Sequence, residues 1–152
     1  MDDHLAAVGS VAPDFKLRDQ NGELVHLRKL VTTHPVVLFF YPGDQTLGCV
    51  IQLCAVRDDV KTFEEGGVRV FGINHGNRLS HAAFAAKHGL TFPLLVDTQK
   101  KVSRRYAATK QLSKATIIAR TVIGIDRHGI IRYRKQGLPR NSDILKVLTT
   151  YR

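Results

Sequence analysis

The chain alternates short apolar runs with stretches of helical periodicity. Pro35-Val-Val-Leu-Phe-Phe-Tyr41 is a continuous apolar run of strand length, the pattern of a strand buried on both faces. Pro42-Gly43 ends it. Leu47, Val50, Ile51 and Cys54 then recur at helical spacing, which predicts a helix from about Thr46 to Phe63, stopped by Gly66-Gly67. Residues 68–73 read as a second buried strand and 79–88 as an Ala-rich helix closed by Gly89. Residues 92–96 form a short strand and 99–108 a short helix. Residues 119–125 and 130–134 flank Asp126-Arg-His-Gly129 as a hairpin, and Asn141 or Ser142 caps a last helix reaching Thr149. Upstream, residues 14–30 read as a hairpin, because Phe15-Lys-Leu and Leu24-Val-His-Leu alternate around Asn21-Gly22, a tight-turn signal.

Strands that alternate with helices, then a closing hairpin and helix, predict an α/β protein with a central mixed sheet and helices on both faces. The order is compatible with a thioredoxin-like fold that carries an N-terminal β-hairpin extension. No internal repeat, low-complexity tract or linker divides the 152 residues, so the simplest parse is one domain over 1–152. A chain of this length buries roughly two thirds of its unfolded surface.

No apolar run approaches the ~20 residues that a membrane span needs. The N-terminal Met1-Asp2-Asp3-His4 is acidic and lacks the positive-then-apolar layout of a signal peptide, so the expected address is the cytoplasm. Charge divides the chain unevenly. Up to Asp97 there are 9 Lys/Arg against 11 Asp/Glu, net −2; from Thr98 onward there are 14 against 2, net +12. A basic surface could serve an acidic partner, but no aromatic-studded basic module accompanies it. A solvated basic face is therefore the expectation, without a nucleic-acid partner.

The chemistry centres on Cys49 and Cys54. In a reducing compartment such a pair is more often catalytic or metal-binding than structural. The predicted strand delivers the chain through Pro42-Gly43-Asp44-Gln45-Thr46 to Cys49 in the first turn of the predicted helix. Free N–H groups and the helix dipole there stabilise negative charge, the form in which a cysteine is a nucleophile. Gly48 leaves room for backbone N–H groups to approach a substrate. Thr46 can turn its hydroxyl toward the sulfur, and Pro42 fixes the start of the loop. On an intact α-helix, residues five apart have Cα atoms roughly 8.7 Å apart, whereas a disulfide needs about 7 Å or less. The pair can bond only if the start of the helix unwinds. Cys54 also fits the apolar helix face, and the two roles are compatible.

Pro42-x-x-x-Thr46-x-x-Cys49 resembles the active-site motif of the peroxiredoxins. Cys54 and Arg57-Asp58 are similar to the peroxiredoxin Q, or bacterioferritin comigratory protein, subfamily. The likeness runs along nearly the whole chain, from Val11-Ala-Pro-Asp-Phe15 through Phe92-Pro-Leu-Leu-Val-Asp97 to Arg120-Thr-Val-Ile-Gly-Ile-Asp126. It implies a thiol-dependent peroxidase that reduces H2O2 and alkyl hydroperoxides. Cys49 maps to the peroxidatic cysteine, Cys54 to the resolving one, and Thr46 and Pro42 to the residues that shape the pocket. Arg120 maps to the arginine that stabilises the thiolate and the peroxide oxygens. A thioredoxin or similar dithiol is the implied reductant, with no cofactor or metal, and the expected state is a monomer or weak dimer. The chain departs from the family's usual Thr and Glu after the cysteine, with Val50 and Gln52, and has Asn74-His-Gly-Asn77 in place of a Ser-x-Asp stretch.

Other functions fit less well. A metal chaperone of this fold would want closer cysteines, and none of the seven histidines forms a compact ligand spacing with them. A thiol-disulfide reductase would want Cys-x-x-Cys. A basic, non-enzymatic binding module is the remaining alternative.

Overall fold

In the computed structural model, which describes residues 6–151, the first hairpin forms from β1 (Lys16–Arg18) and β2 (Leu24–His26), paired antiparallel. The segment Met1–His4 lies outside the described residues. The hairpin turn is longer than the Asn-Gly signal suggests. The Asp19 carboxylate accepts from the backbone N–H groups of Asn21 and Glu23 at 2.8 and 3.0 Å, and Gly22 takes up φ 82°. Leu27–Leu30, expected as strand, coils into a single helical turn, α1.

The chain continues through β3 (Val36–Phe40), α2 (Leu47–Glu65), β4 (Arg69–Asn74), α3 (Arg78–His88), β5 (Leu94–Val96) and α4 (Lys101–Arg105). It ends with β6 (Thr109–Leu112), β7 (Ala115–Ile118), β8 (Thr121–Ile125), β9 (Ile131–Gln136) and α5 (Asn141–Thr150). Five strands make one mixed sheet in the order β5-β4-β3-β8-β9. Within it β3, β4 and β5 are parallel, and β8 and β9 are antiparallel to their inner neighbours.

Side chains along a strand alternate between the sheet's two faces, which explains why β3 is apolar throughout. Val36, Leu38 and Phe40 enter one core with Leu27 of α1 and Val102 of α4. Val37, Phe39 and Tyr41 enter the other with Leu53 of α2, Phe84 of α3 and Leu148 of α5. All six are at most 1% exposed. The strand therefore carries both cores, and its carboxyl end is a fixed point.

Three details differ from the sequence pattern. β6 and β7 form an antiparallel hairpin where no element is expected, turning at Ser113 with φ 57°. Its strands, Thr-Lys-Gln-Leu and Ala-Thr-Ile-Ile, are four residues each and lack strict apolar–polar alternation, so the pattern is too brief to register. The strand expected over 119–125 begins only at Thr121, with Ala119 and Arg120 in a break after β7. The N-cap of α5 is Arg140, because the Asn141 amide instead donates to Asp59 Oδ2 at 2.8 Å and to Ala55 O on α2.

Leu38→Ala should cost about 2–5 kcal/mol, the range for emptying a fully buried leucine site. Urea unfolding of both proteins measures it, and a loss below about 1 kcal/mol would show that β3 is not the common wall of the two cores.

Candidate active site

Asn74, at the end of β4, holds the chain where β3 stops. Its amide donates to Tyr41 O at 2.7 Å, and its oxygen accepts from Gly76 N–H at 2.8 Å. Eight residues after Tyr41, Cys49 stands in the first turn of α2, third in the helix and fully buried. Its backbone N–H belongs to the first turn, where amides lack intrahelical partners and the positive end of the helix dipole is concentrated.

Arg120 comes to this cysteine from the break between β7 and β8. Its Nη2 donates to Cys49 Sγ at 3.4 Å and its Nη1 to Gln52 Oε1 at 2.5 Å. Cys49 and Gln52 are three apart and share a helix face, so one planar fork serves both. Gly48 leaves room for this approach. A Cβ there would stand 3.0 Å from Arg120 Nη2.

Thr46 is the N-cap of α2 with extended backbone, but its exposed side chain does not cap the helix; the hydroxyl donates to Gly43 O at 3.1 Å. Pro42 is half-buried at the start of the loop. Cys54 is half-buried farther along the same unbroken helix, and both cysteines are free thiols. The structure thus brings Cys49 and Arg120 into contact and leaves Cys54 apart from them. Arg57, part of the subfamily resemblance, bonds His88 O at the end of α3 at 2.7 Å and pairs with Asp58. Among the described residues no group of three or more His, Cys, Asp or Glu side chains is arranged to hold a metal ion.

Sequence reasoning noticed Gln52 only as a departure near the helix start; its contact with Arg120 was missed. Its signal was a polar side chain one turn from the cysteine, and it is 6% exposed. A second group was missed entirely. Asp44, in the loop before α2, accepts from Tyr41 Oη, Ser80 Oγ and His81 Nδ1, each at 2.6 Å. Burial alone would raise the Asp44 pKa, but the hydrogen bonds from His81, Ser80 and Tyr41 outweigh it and hold the carboxyl below its ordinary range. Burial, with Asp44 as neighbour and acceptor and with Cys49 nearby, pushes the Tyr41 phenol well above its ordinary value.

The AhpC/TSA family profile matches residues 8–134. The chain belongs to the AhpC/TSA family. It is 41% identical over 125 residues to the chloroplastic peroxiredoxin Q of Triticum aestivum, across 82% of this chain and 57% of that protein. It is 38% identical over 144 residues to the chloroplastic peroxiredoxin Q of Sedum lineare, across 92% of this chain and 76% of that one. The chain thus spans little more than half the length of the wheat relative. Peroxidoxin BcpB from Mycobacterium tuberculosis superposes with a TM-score of 0.86 at 30% identity, covering 95% of this chain and 97% of its own. Xylella fastidiosa PrxQ superposes at 0.84 with 23% identity, covering 95% and 94%, and shares the fold. The mixed sheet with flanking helices is therefore the thioredoxin-like fold of the peroxiredoxins, and the family's peroxiredoxin Q branch is where the similarity lies. No helix of the described residues is long and apolar enough to cross a membrane.

The depressed Asp44 pKa has a sign that unfolding can test. A carboxyl held lower in the folded state contributes stability above its unfolded value of about 3.9, and that contribution fades as pH falls through the folded value. Asp44→Asn should therefore be less stable than the parent at pH 7, with the gap narrowing as the solution is acidified below about pH 3.9. Urea unfolding across that range measures it; a gap independent of pH would mean that the carboxylate's charge contributes nothing.

Proposed function

We propose that this protein is a thiol-dependent peroxidase in which Cys49 attacks a hydroperoxide and Cys54 closes a disulfide with it. The observation that carries this reading is the buried Cys49 sulfur with the Arg120 guanidinium 3.4 Å away. The Cys49 thiolate attacks one peroxide oxygen, the O–O bond breaks, and the other oxygen leaves as water or alcohol after taking a proton. Arg120, permanently charged, faces the sulfur where charge shifts onto the oxygens; Thr46 and the first-turn N–H groups line the approach, with Pro42 at its start. The buried, otherwise unpartnered Nε2 of Gln52 adds a donor beside the guanidinium. Both H2O2 and alkyl hydroperoxides are proposed substrates, the range that the likeness to the peroxiredoxins supports.

Cys49 sulfenic acid then condenses with the Cys54 thiol, forming the S–S bond and releasing water. On the observed helix the pair is too far apart, so the first turns of α2 must unwind. Leu47 and Ile51 are 77% and 57% exposed and lose little by this. The cost falls on Gln52 and Leu53, which are buried. A thioredoxin-type dithiol returns the disulfide to two thiols. The thiol chemistry itself calls for no metal, haem or flavin. We place this activity in one domain over residues 1–152, acting as a monomer or weak dimer in the cytoplasm, where reduced thiols are the norm.

Cys49→Ser should abolish peroxide consumption with a dithiol donor. Cys54→Ser should undergo the first oxidation and then stall. Intact mass after one equivalent of peroxide should show the parent lighter by about two mass units, from two hydrogens lost to the disulfide. Sustained turnover by Cys49→Ser with no other thiol present would overturn the reading.

Arg120→Ala should slow the oxidation step roughly 10- to 1000-fold, the scale of losing one electrostatic donor at a reacting centre. Stopped-flow oxidation under excess peroxide measures this, and a rate within about twofold of the parent would remove Arg120 from the chemistry.

A further inference from the structure

The loop that leads to Cys49 is held from below by a buried ionic group. Asp44 and His81 are 5% and 0% exposed at their side chains, with His81 Nδ1 2.6 Å from Asp44 Oδ2. On its other side His81 Nε2 lies 3.0 Å from Leu95 O, a carbonyl oxygen of β5 that can only accept. Nε2 therefore donates. Asp44 Oδ2 already accepts from Ser80 Oγ, and Oδ1 from Tyr41 Oη. With Asp44 ionised, Nδ1 donates as well, and the ring uses both nitrogens as donors. The carboxylate has donors from the end of β3 and from the first turn of α3, while the imidazole carries the connection on to β5.

This arrangement is not a nucleophilic triad, since Ser80 and His81 bond side by side to one carboxylate and the far imidazole nitrogen is engaged by a backbone carbonyl. Its geometry is that of an anchor. The backbone at Gly76 closes over it so tightly that a Cβ would stand 2.6 Å from Asp44 Oδ2 and 3.2 Å from His81 Cε1. A buried carboxylate with three short donors has little freedom to move, because any donor left unpaired in this dry site carries a desolvation cost. Asp44 lies between Pro42 and Thr46, so fixing its carboxylate fixes the loop path on both sides.

We infer that Asp44 and His81 are positioning residues of the peroxidase reaction: their buried pair sets the Pro42–Thr46 loop, and so the placement of the peroxide relative to Cys49 Sγ. The inference rests on the peroxidase reading above. Neither side chain touches the reacting atoms; both act through the loop. Misplacement of a reacting centre by about 1 Å is enough to cost on the order of 100-fold in rate.

The test compares two reactions of the same sulfur. Peroxide oxidation depends on the placement of the oxygens by the loop, whereas alkylation by a small neutral reagent such as iodoacetamide depends on the thiolate and its access alone. Asp44→Asn and His81→Asn should lower the second-order rate of Cys49 oxidation roughly 10- to 100-fold, while alkylation stays unchanged or becomes faster as the loop loosens. Gly76→Ala is the second line of test. It alters none of the hydrogen-bonding or titratable side chains; its added Cβ would press on Asp44 Oδ2 and also on Asn74 Oδ1 at 3.1 Å and His81 Cε1 at 3.2 Å, and it should reproduce the same split if either polar variant fails to fold. Circular dichroism establishes that each variant compared is folded. Oxidation within about twofold of the parent in every folded variant would overturn the anchor, as would oxidation and alkylation falling in equal proportion. The parent protein separates the two levels. A parent that does not react with peroxide sinks the peroxidase reading itself, whereas a reactive parent matched by its variants sinks only the role of the pair.

Discussion

Arg120 reaches Cys49 across 71 residues of chain and Gln52 across 68. The guanidinium is planar and offers parallel donors, so it satisfies two acceptors only when they are held at a matching separation. One turn of intact helix supplies that separation. If the first turn of α2 opens, Cys49 and Gln52 no longer share a face and the fork cannot serve both. The cation beside the sulfur and the integrity of the helix are therefore two aspects of one contact. That coupling is what a two-stage thiol cycle requires: a compact stage in which the sulfur is held against the cation, and an open one in which it is released to a second cysteine.

The other side of the loop is governed by the ends of the parallel strands. β3, β4 and β5 all finish near it, and in α/β sheets this is where loops converge and sites form. Asn74 holds Tyr41 O, Tyr41 and Ser80 hold Asp44, and His81 carries the connection to Leu95 on β5. The loop is thus pinned to the sheet on one side and meets the first turn of α2 on the other. In the proposed cycle, a rigid support beneath a helix start that unwinds would let the reduced geometry re-form each time.

Local pattern made the scaffold legible in the sequence. The continuous apolar run before Tyr41 could only be a doubly buried strand, and a cysteine just after a Pro-Gly turn at the head of a helical pattern could be located without coordinates. Arg120 was found through the family resemblance, yet its place in a break between strands was not, because Ala119 continues the apolar pattern that a strand would show. Gln52 and the Asp44–His81 pair escaped for a different reason. Their meaning lies in partners 37 to 68 residues away, and no periodicity encodes such a meeting. Histidine on the apolar face of an Ala-rich helix, fully buried, was the one visible hint. The β6–β7 hairpin was missed because four residues per strand, without strict alternation, leave too little pattern to read.

The two margins of the sheet give the basic C-terminal half a further consequence. An open margin of a sheet exposes unpaired backbone groups and invites another chain to add a strand. At β5 the margin is three residues long, and Gln20 fills part of it by accepting from Leu94 N–H at 2.7 Å. At β9 the margin is longer, and the N-terminal segment covers its beginning, where Gly9 N–H donates to Ile131 O and Ile131 N–H to Ser10 O. The remainder carries Arg132, Arg134 and Lys135. Arg132 is paired with Asp126 and Arg134 is spent on the carbonyls of Ala6, Tyr106 and Ala107, but Lys135 stays exposed. Like charge along this margin repels a second copy of itself. The solvated positive charge expected of the C-terminal half thus also works against edge-to-edge assembly of a strand-rich protein.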